Sequence, residues 1–129
     1  MNNIIVRKAV VDDAKDVHRL LRVIADLHRE GRPDMFPGLV SKYTIDQVAE
    51  RLSRDDSGVM VATSEDNVVG YVFCDIIKEG NGHTLYVDDL CVDPEARGVG
   101  IGKSLMDEAV KYGKTKKCCQ LMLNVWEFN

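Results

Sequence analysis

Several common features are missing from this 129-residue sequence, and each absence excludes a class of protein. No apolar run approaches the ~20 residues that a helix needs to cross a bilayer. The N-terminus, Met1-Asn2-Asn3-Ile4-Ile5-Val6-Arg7, lacks the basic-then-apolar layout of a secretory signal. No membrane association and a cytoplasmic residence are therefore expected. The three histidines, His18, His28 and His83, are scattered, and the four cysteines, Cys74, Cys91, Cys118 and Cys119, have neither metal-ligand spacing nor disulfide-scaffold density. No metal is expected, and all four thiols read as small buried hydrophobes. The adjacent Cys118 and Cys119 cannot share one face of a regular strand. Basic charge is also short: 17 Lys and Arg against 21 Asp and Glu leave a net charge of -4. Nucleic acid is a poor partner for such a surface, and amines on small molecules or peptides suit it better. With no repeat, low-complexity tract or linker, residues 1–129 read as a single domain.

What is present is a regular alternation of patterns. Ile4 to Arg7 reads as a short strand. Asp12 or Asp13 can cap a helix whose inner face carries Val17, Leu20, Leu21, Ile24, Leu27 and His28 at 3.6-residue spacing. Gly31, Pro33, Pro37 and Gly38 break it into a loop. Thr44 with Gln47 forms a capping box for a second helix facing inward with Ile45, Val48, Ala49 and Leu52. Val59 to Thr63 and Val68 to Ile77 follow as strands joined by Ser64-Glu65-Asp66-Asn67. Both alternating sets of the second strand are apolar, which predicts a central position in the sheet. Gly80-Asn81-Gly82 turns the chain into a strand from Thr84 to Val92. Ile101, Leu105, Met106, Ala109 and Val110 outline an amphipathic helix, and Gln120 to Trp126 a last strand. The order β-α-α-β-β-β-α-β gives an α+β fold: a mixed, largely antiparallel sheet flanked by helices, ending in a parallel strand-helix-strand unit.

The informative stretch is Leu90-Cys91-Val92-Asp93-Pro94-Glu95-Ala96-Arg97-Gly98-Val99-Gly100-Ile101-Gly102-Lys103. A strand ends, Asp93-Pro94 turns the chain, and three alternating glycines enter a helix. Free N–H groups at a helix start, with the positive end of its dipole, form an anion site, and glycine lets the ligand come close to the backbone. A pyrophosphate suits such a loop; the plainer alternative is a tight, glycine-rich cap. A Walker A loop would need glycine at position 97, which is arginine. A dinucleotide fingerprint would need glycine at position 103, which is lysine.

Arg97-Gly98-Val99-Gly100-Ile101-Gly102, preceded by Asp89-Leu90-Cys91-Val92-Asp93-Pro94, closely resembles the signature of the GNAT superfamily of acetyl-coenzyme A-dependent N-acetyltransferases. The order of elements is similar too. The resemblance implies acetyl-CoA as donor, with the pyrophosphate on N–H groups from Val99 to Lys103 and the pantetheine arm along Leu90, Cys91 and Val92. It implies that the Val92 region polarises the thioester carbonyl and that Asn129 contacts pantetheine. Arg97, Gly98, Gly100, Ile101 and Gly102 complete the cofactor-binding set. It further implies a helix with a Phe-Tyr pair and a hairpin beyond position 129, so the domain reads as C-terminally incomplete and truncated. Loss of those elements would leave Gln120 to Trp126 as an open apolar edge, and a homodimer is expected to cover it.

The implied reaction moves an acetyl group to a primary amine of a small molecule or peptide. At pH 7 an alkylamine with a pKa of about 10.4 is neutral in only about one molecule in 2,500, so a base is useful. Asp88 and Asp89, beside the cofactor segment, are the candidate bases; an acidic strand end is their structural alternative. Tyr86 and Tyr43 are candidates for placing substrate or for the core. Asn124 stands where some peptide-modifying relatives carry a glutamate base and cannot replace it. His28 with residues 29–37 resembles the acceptor loop of small-amine and aminoglycoside acetyltransferases, or is structural. The alternative to an enzyme is a non-catalytic CoA-binding module or remnant.

Overall fold

Strands that are apolar at every position need cover on both faces, and that requirement organises this molecule. The computed structural model describes residues 3–31, 43–80, 82–96 and 100–123. Among the described residues five strands form one sheet in spatial order β1-β2-β3-β4-β5: β1 (Ile4–Lys8), β2 (Val59–Ser64), β3 (Asn67–Glu79), β4 (Gly82–Val92) and β5 (Cys118–Leu123). All neighbours are antiparallel except β4 and β5, which are parallel. As its double-sided apolar pattern requires, β3 is central. Helices α1 (Ala14–Gly31) and α2 (Ile45–Leu52) cover one face, and α3 (Ile101–Thr115) covers the other.

The alternation of side chains sorts the two cores. Val59, Val61, Tyr71 and Phe73 join Val17, Leu20, Leu21, Val48 and Leu52 on the α1/α2 face. Met60, Ala62, Val72 and Cys74 join Ile101, Leu105 and Ala109 on the α3 face. Each fully buried aliphatic side chain here contributes about 1.5–3 kcal/mol of transfer free energy. The β2–β3 hairpin closes through Glu65 and Asp66, both left-handed at φ 51° and 68°, as a tight two-residue hairpin requires.

Several sequence expectations need correction. Neither Asp12 nor Asp13 caps α1 from the outside. A 3-10 turn, Val11–Asp13, precedes the helix, and the Asp13 carboxylate accepts from Val10 N–H at 2.8 Å while forking onto Arg7 at 2.8 and 2.9 Å. The charge-assisted fork to Arg7 and the Val10 N–H engage both carboxylate oxygens within that turn. In α2 the Thr44–Gln47 box forms in both directions, at 3.1 and 2.8 Å. Ile45, however, is 39% exposed, because the first turn extends past the edge of the core. Cys74 and Cys91 are buried, but Cys118 is half-buried and Cys119 exposed. β5 begins at Cys118, not Gln120. It starts after left-handed Lys117 (φ 62°), and the register slips one residue at Cys119, which leaves that thiol outside the core. Trp126, Val125, Asn124, the stretch 32–37 and the side chains of Ile24, Leu27 and His28 lie outside what the structure describes.

Candidate active site

The apolar residues of β4 are spaced unevenly: Leu85, Val87, then Leu90 and Val92. All four pack on the α3 face. A regular strand cannot place positions 87 and 90 on one side, so an extra residue must intervene. The register shows it: Cys74 pairs with Val87 and Phe73 with Asp89, leaving Asp88 as the inserted residue of a bulge. Both carboxylates consequently reach tyrosines of the α1/α2 face. Tyr43 Oη donates to Asp88 at 3.0 Å, and Tyr71 Oη donates to Asp89 at 3.1 Å.

The two tyrosines differ in setting. Tyr71 is fully buried and meets Phe73 edge-on, with centroids 5.3 Å apart. Burial first, then the charge of Asp89 and the neighbouring Cys91, pushes its phenol well above the usual range, so it stays a protonated donor. Tyr43 is half-buried and stacks on Phe73 at 5.6 Å with 17° between planes. With Gln47, Glu50, Arg51, Arg54 and Phe73 it lines an open groove of about 160 Å³ along α2. Arg51 is committed to structure: it donates to Ser57 O (2.7 Å), Cys74 O (2.8 Å) and Asp75 (3.0 Å). Tyr86, expected to place substrate or pack in the core, is half-buried between Asp75 and Met122.

Beyond the bulge, Leu90, Cys91 and Val92 pair with Val72, Tyr71 and Gly70 of β3. Their side chains are spent on the two cores, Leu90 and Val92 under α3 and Cys91 under α1. Asp93 then turns the chain: its N–H donates to Val69 O, its carboxylate accepts from Glu95 N–H, and Arg19 bridges Val68 O and Asp93.

Gly100 caps α3 in the left-handed region, φ 76°, where a side chain is disfavoured. A Cβ built there meets no described atom within 4 Å, and one on Gly102 lies 3.7 Å from Val92 Cγ2. The start of α3 thus abuts the end of β4. Ile101 is buried and anchors that turn, whereas Lys103 points outward to Asp107 at 3.0 Å. Leu90 to Val92 and Gly100 to Lys103 are therefore brought together at one end of the sheet. Arg97, Gly98, Val99 and Asn129 lie outside the described residues. The sequence reading missed the bulge and the Tyr71–Asp89 contact; the spacing Leu85, Val87, Leu90, Val92 carried the signal for the first.

The family model for the acetyltransferase (GNAT) family matches residues 21–129. The chain belongs to that family. An N-acetyltransferase of Archaeoglobus fulgidus, itself uncharacterized, is 40% identical over 80 residues, which cover 54% of this chain and 51% of that protein. The chain thus spans about half the length of that relative. The thialysine N-epsilon-acetyltransferase of Sus scrofa is 25% identical over 144 residues, covering 100% of this chain and 78% of that one. The crystal structure of a tetramutant of the BH1408 protein from Bacillus halodurans superposes with a TM-score of 0.79 at 26% identity, covering 97% of this chain and 85% of that chain. The α+β architecture is that of this GNAT family. Among the described residues no helix is long and apolar enough to cross a membrane.

Proposed function

We propose that this protein, acting as a single domain, is an N-acetyltransferase that moves the acetyl group of acetyl-CoA to a primary amine of a small molecule or peptide. The observation that carries the reading is the juxtaposition of the end of β4, Leu90 to Val92, whose side chains are used in the two cores, with the start of α3 behind left-handed Gly100. We place an extended amide-bearing arm along that end of β4, in the manner of an added strand. A pyrophosphate can then meet the N–H groups of Ile101, Gly102 and Lys103. Family membership supports this donor, and Arg97, Gly98, Val99 and Asn129 complete the proposed set. The Val92 region is proposed to polarise the thioester carbonyl.

In the transfer, an amine nitrogen bonds to the acetyl carbon as the carbon–sulfur bond breaks. The ammonium first gives one proton to Asp88 or Asp89, directly or through water, and the proton that the nitrogen sheds as the amide forms goes to the departing thiolate. An alkylamine of the thialysine kind is the proposed acceptor, by likeness to the Sus scrofa relative. Further parts of the proposal are cytoplasmic residence, no nucleic-acid partner and a homodimer through β5. The dimer draws support from Leu121, Met122 and Leu123, exposed by 44%, 51% and 52% on that strand.

The decisive experiment incubates the protein with acetyl-CoA and a panel of thialysine, lysine, 1,4-diaminobutane and a peptide with a free N-terminus, following free thiol. Amine-dependent thiol release is expected. CoA binding by calorimetry without release on any amine would replace the enzyme by a binding module.

A further inference from the structure

Glycine is a poor residue inside a strand, where it loses more chain entropy on folding than alanine and offers no side chain to pack. Gly70 nevertheless sits buried within the central strand β3. Its φ is not positive, so neither its own conformation nor the neighbouring bulge at Val69 demands glycine. The space around it does. Gly70 stands in a row with Ala62 of β2 and Val92 of β4, on the face that α3 covers. A Cβ built on it would lie 3.0 Å from Cys91 O, 3.0 Å from Leu105 Cδ1 and 3.3 Å from Ile101 Cγ2. The first neighbour is main chain of β4, and the last anchors the first turn of α3. An added methyl would act as a wedge between the two segments that the proposed cofactor has to touch at once. Gly102 follows Ile101, and a Cβ on it would lie 3.7 Å from Val92 Cγ2, so lifting Ile101 opens that contact too.

Gly113 makes a similar close approach at the other end of the helix. Its Cβ would lie 3.0 Å from Leu85 Cδ2 and 3.3 Å from Leu85 Cβ, ahead of the bulge in β4. Gly70 beneath the first turn of α3 and Gly113 within its last therefore set how closely the two ends of the helix lie on the sheet. We infer that Gly70 is a positioning residue for the cofactor: the missing methyl lets the start of α3 come down beside the end of β4. Leu90 to Val92 and the N–H groups of Ile101 to Lys103 can then engage one CoA molecule together. This rests on the acetyl-CoA reading above. Gly113 serves the seating of the helix alone. A shift of a few tenths of an ångström at Gly70 falls on the cofactor site, whereas the same shift at Gly113 falls on packing.

The test measures Kd for CoA by calorimetry on the unaltered protein, Gly70→Ala and Gly113→Ala, with thermal unfolding of each so that every titration is made on folded protein. Gly70→Ala is expected to weaken CoA at least about tenfold, and Gly113→Ala to leave it within about twofold. The inference is overturned if Gly70→Ala binds within about twofold of the parent, or if both variants weaken CoA equally, as a general loosening of α3 would. Should Gly70→Ala not fold, Leu105→Val serves as the background, because it withdraws the Cδ1 that meets the methyl. Adding Gly70→Ala there should still weaken CoA at least about fivefold, since Cys91 O and Ile101 still meet the methyl, and equal affinities overturn the inference. Failure of the unaltered protein to bind CoA overturns the acetyl-CoA reading itself, and the inference with it.

Discussion

Replacing Gly100 by glutamate separates what the start of α3 does for the fold from what it does for a ligand. Gly100 sits at φ 76°, so any side chain there pays the left-handed penalty of about 1–2 kcal/mol. No described atom lies within 4 Å of the added Cβ, so packing adds nothing to that cost. In a domain of this size the strain corresponds to a fall in Tm of about 3–8 °C, and Gly100→Ala should show the same fall. Binding is a different matter. A glutamate carboxylate about 5 Å from one pyrophosphate charge is repelled by about 3 kcal/mol at an effective dielectric of about 20, or roughly 150-fold in affinity. Calorimetric titration with CoA should therefore show Gly100→Ala binding within about tenfold of the parent and Gly100→Glu at least 100-fold weaker. The gap should shrink at high salt. Equal affinity of the glutamate and alanine variants would falsify the placement of the pyrophosphate.

Other expectations follow from the packing. Burial acts to raise the Asp13 carboxyl, but the Arg7 fork and the Val10 N–H outweigh it and hold it below its usual range. That contribution to stability is fully present above about pH 4 and is lost as pH falls through the depressed folded value. Asp13→Asn should lower stability at pH 7 by about 1–3 kcal/mol and flatten the acid limb of Tm against pH, as chemical denaturation at several pH values will show. Gly58→Ala forces a Cβ to 2.2 Å from Cys74 O at φ 73° and should cost roughly 2–3 kcal/mol by the same measurement. A thiol reagent at pH 8 should modify Cys119 quickly and Cys118 more slowly. Cys91 is buried, and burial pushes the Cys74 thiol up to about 12, so both should react only on unfolding. Light scattering across a dilution series should show self-association through β5, weakened by Leu121→Lys; a monodisperse monomer at micromolar concentration would count against it.

Most of the fold was legible because its signals are local. The Thr44–Gln47 box, the double-sided apolar run of β3 and the 101-105-109 stripe of α3 each stand in a short window, and each forms as read. The misreadings occur where one local signal competes with a distant partner. Asp13 looks like a cap until Arg7, six residues away, claims its carboxylate. Cys118 and Cys119 look like core until the register slip of β5, which depends on β4, exposes the second. In the candidate site, the glycine turn from β4 into α3 was readable from the spacing of its glycines. The side-chain contacts were not, since Tyr43–Asp88 and Tyr71–Asp89 join residues 45 and 18 positions apart.

The bulge in β4 links the glycine turn to these contacts. A strand packed under α3 at Leu85 and Val87 would, if regular, turn Leu90 and Val92 toward α1 and α2, and α3 would lose the side chains on which Ile101 rests. One inserted residue restores the apolar phase, so Leu90 and Val92 again support the start of α3. The same insertion adds a carboxylate to the opposite face, where Tyr43 and Tyr71 receive the pair. Deleting Asp88 should therefore remove a carboxylate and keep the phase. Val87 would stay opposite Cys74 and Asp89 opposite Phe73 along a now regular strand, with Leu90 and Val92 still under α3. Turnover should fall while CoA affinity stays within about tenfold of the parent, as it should for Asp88→Asn, which keeps the inserted residue. Measuring Kd for CoA on both variants separates shape from charge: affinity lost in the deletion variant and kept in Asp88→Asn would show that the bulge itself shapes the cofactor edge.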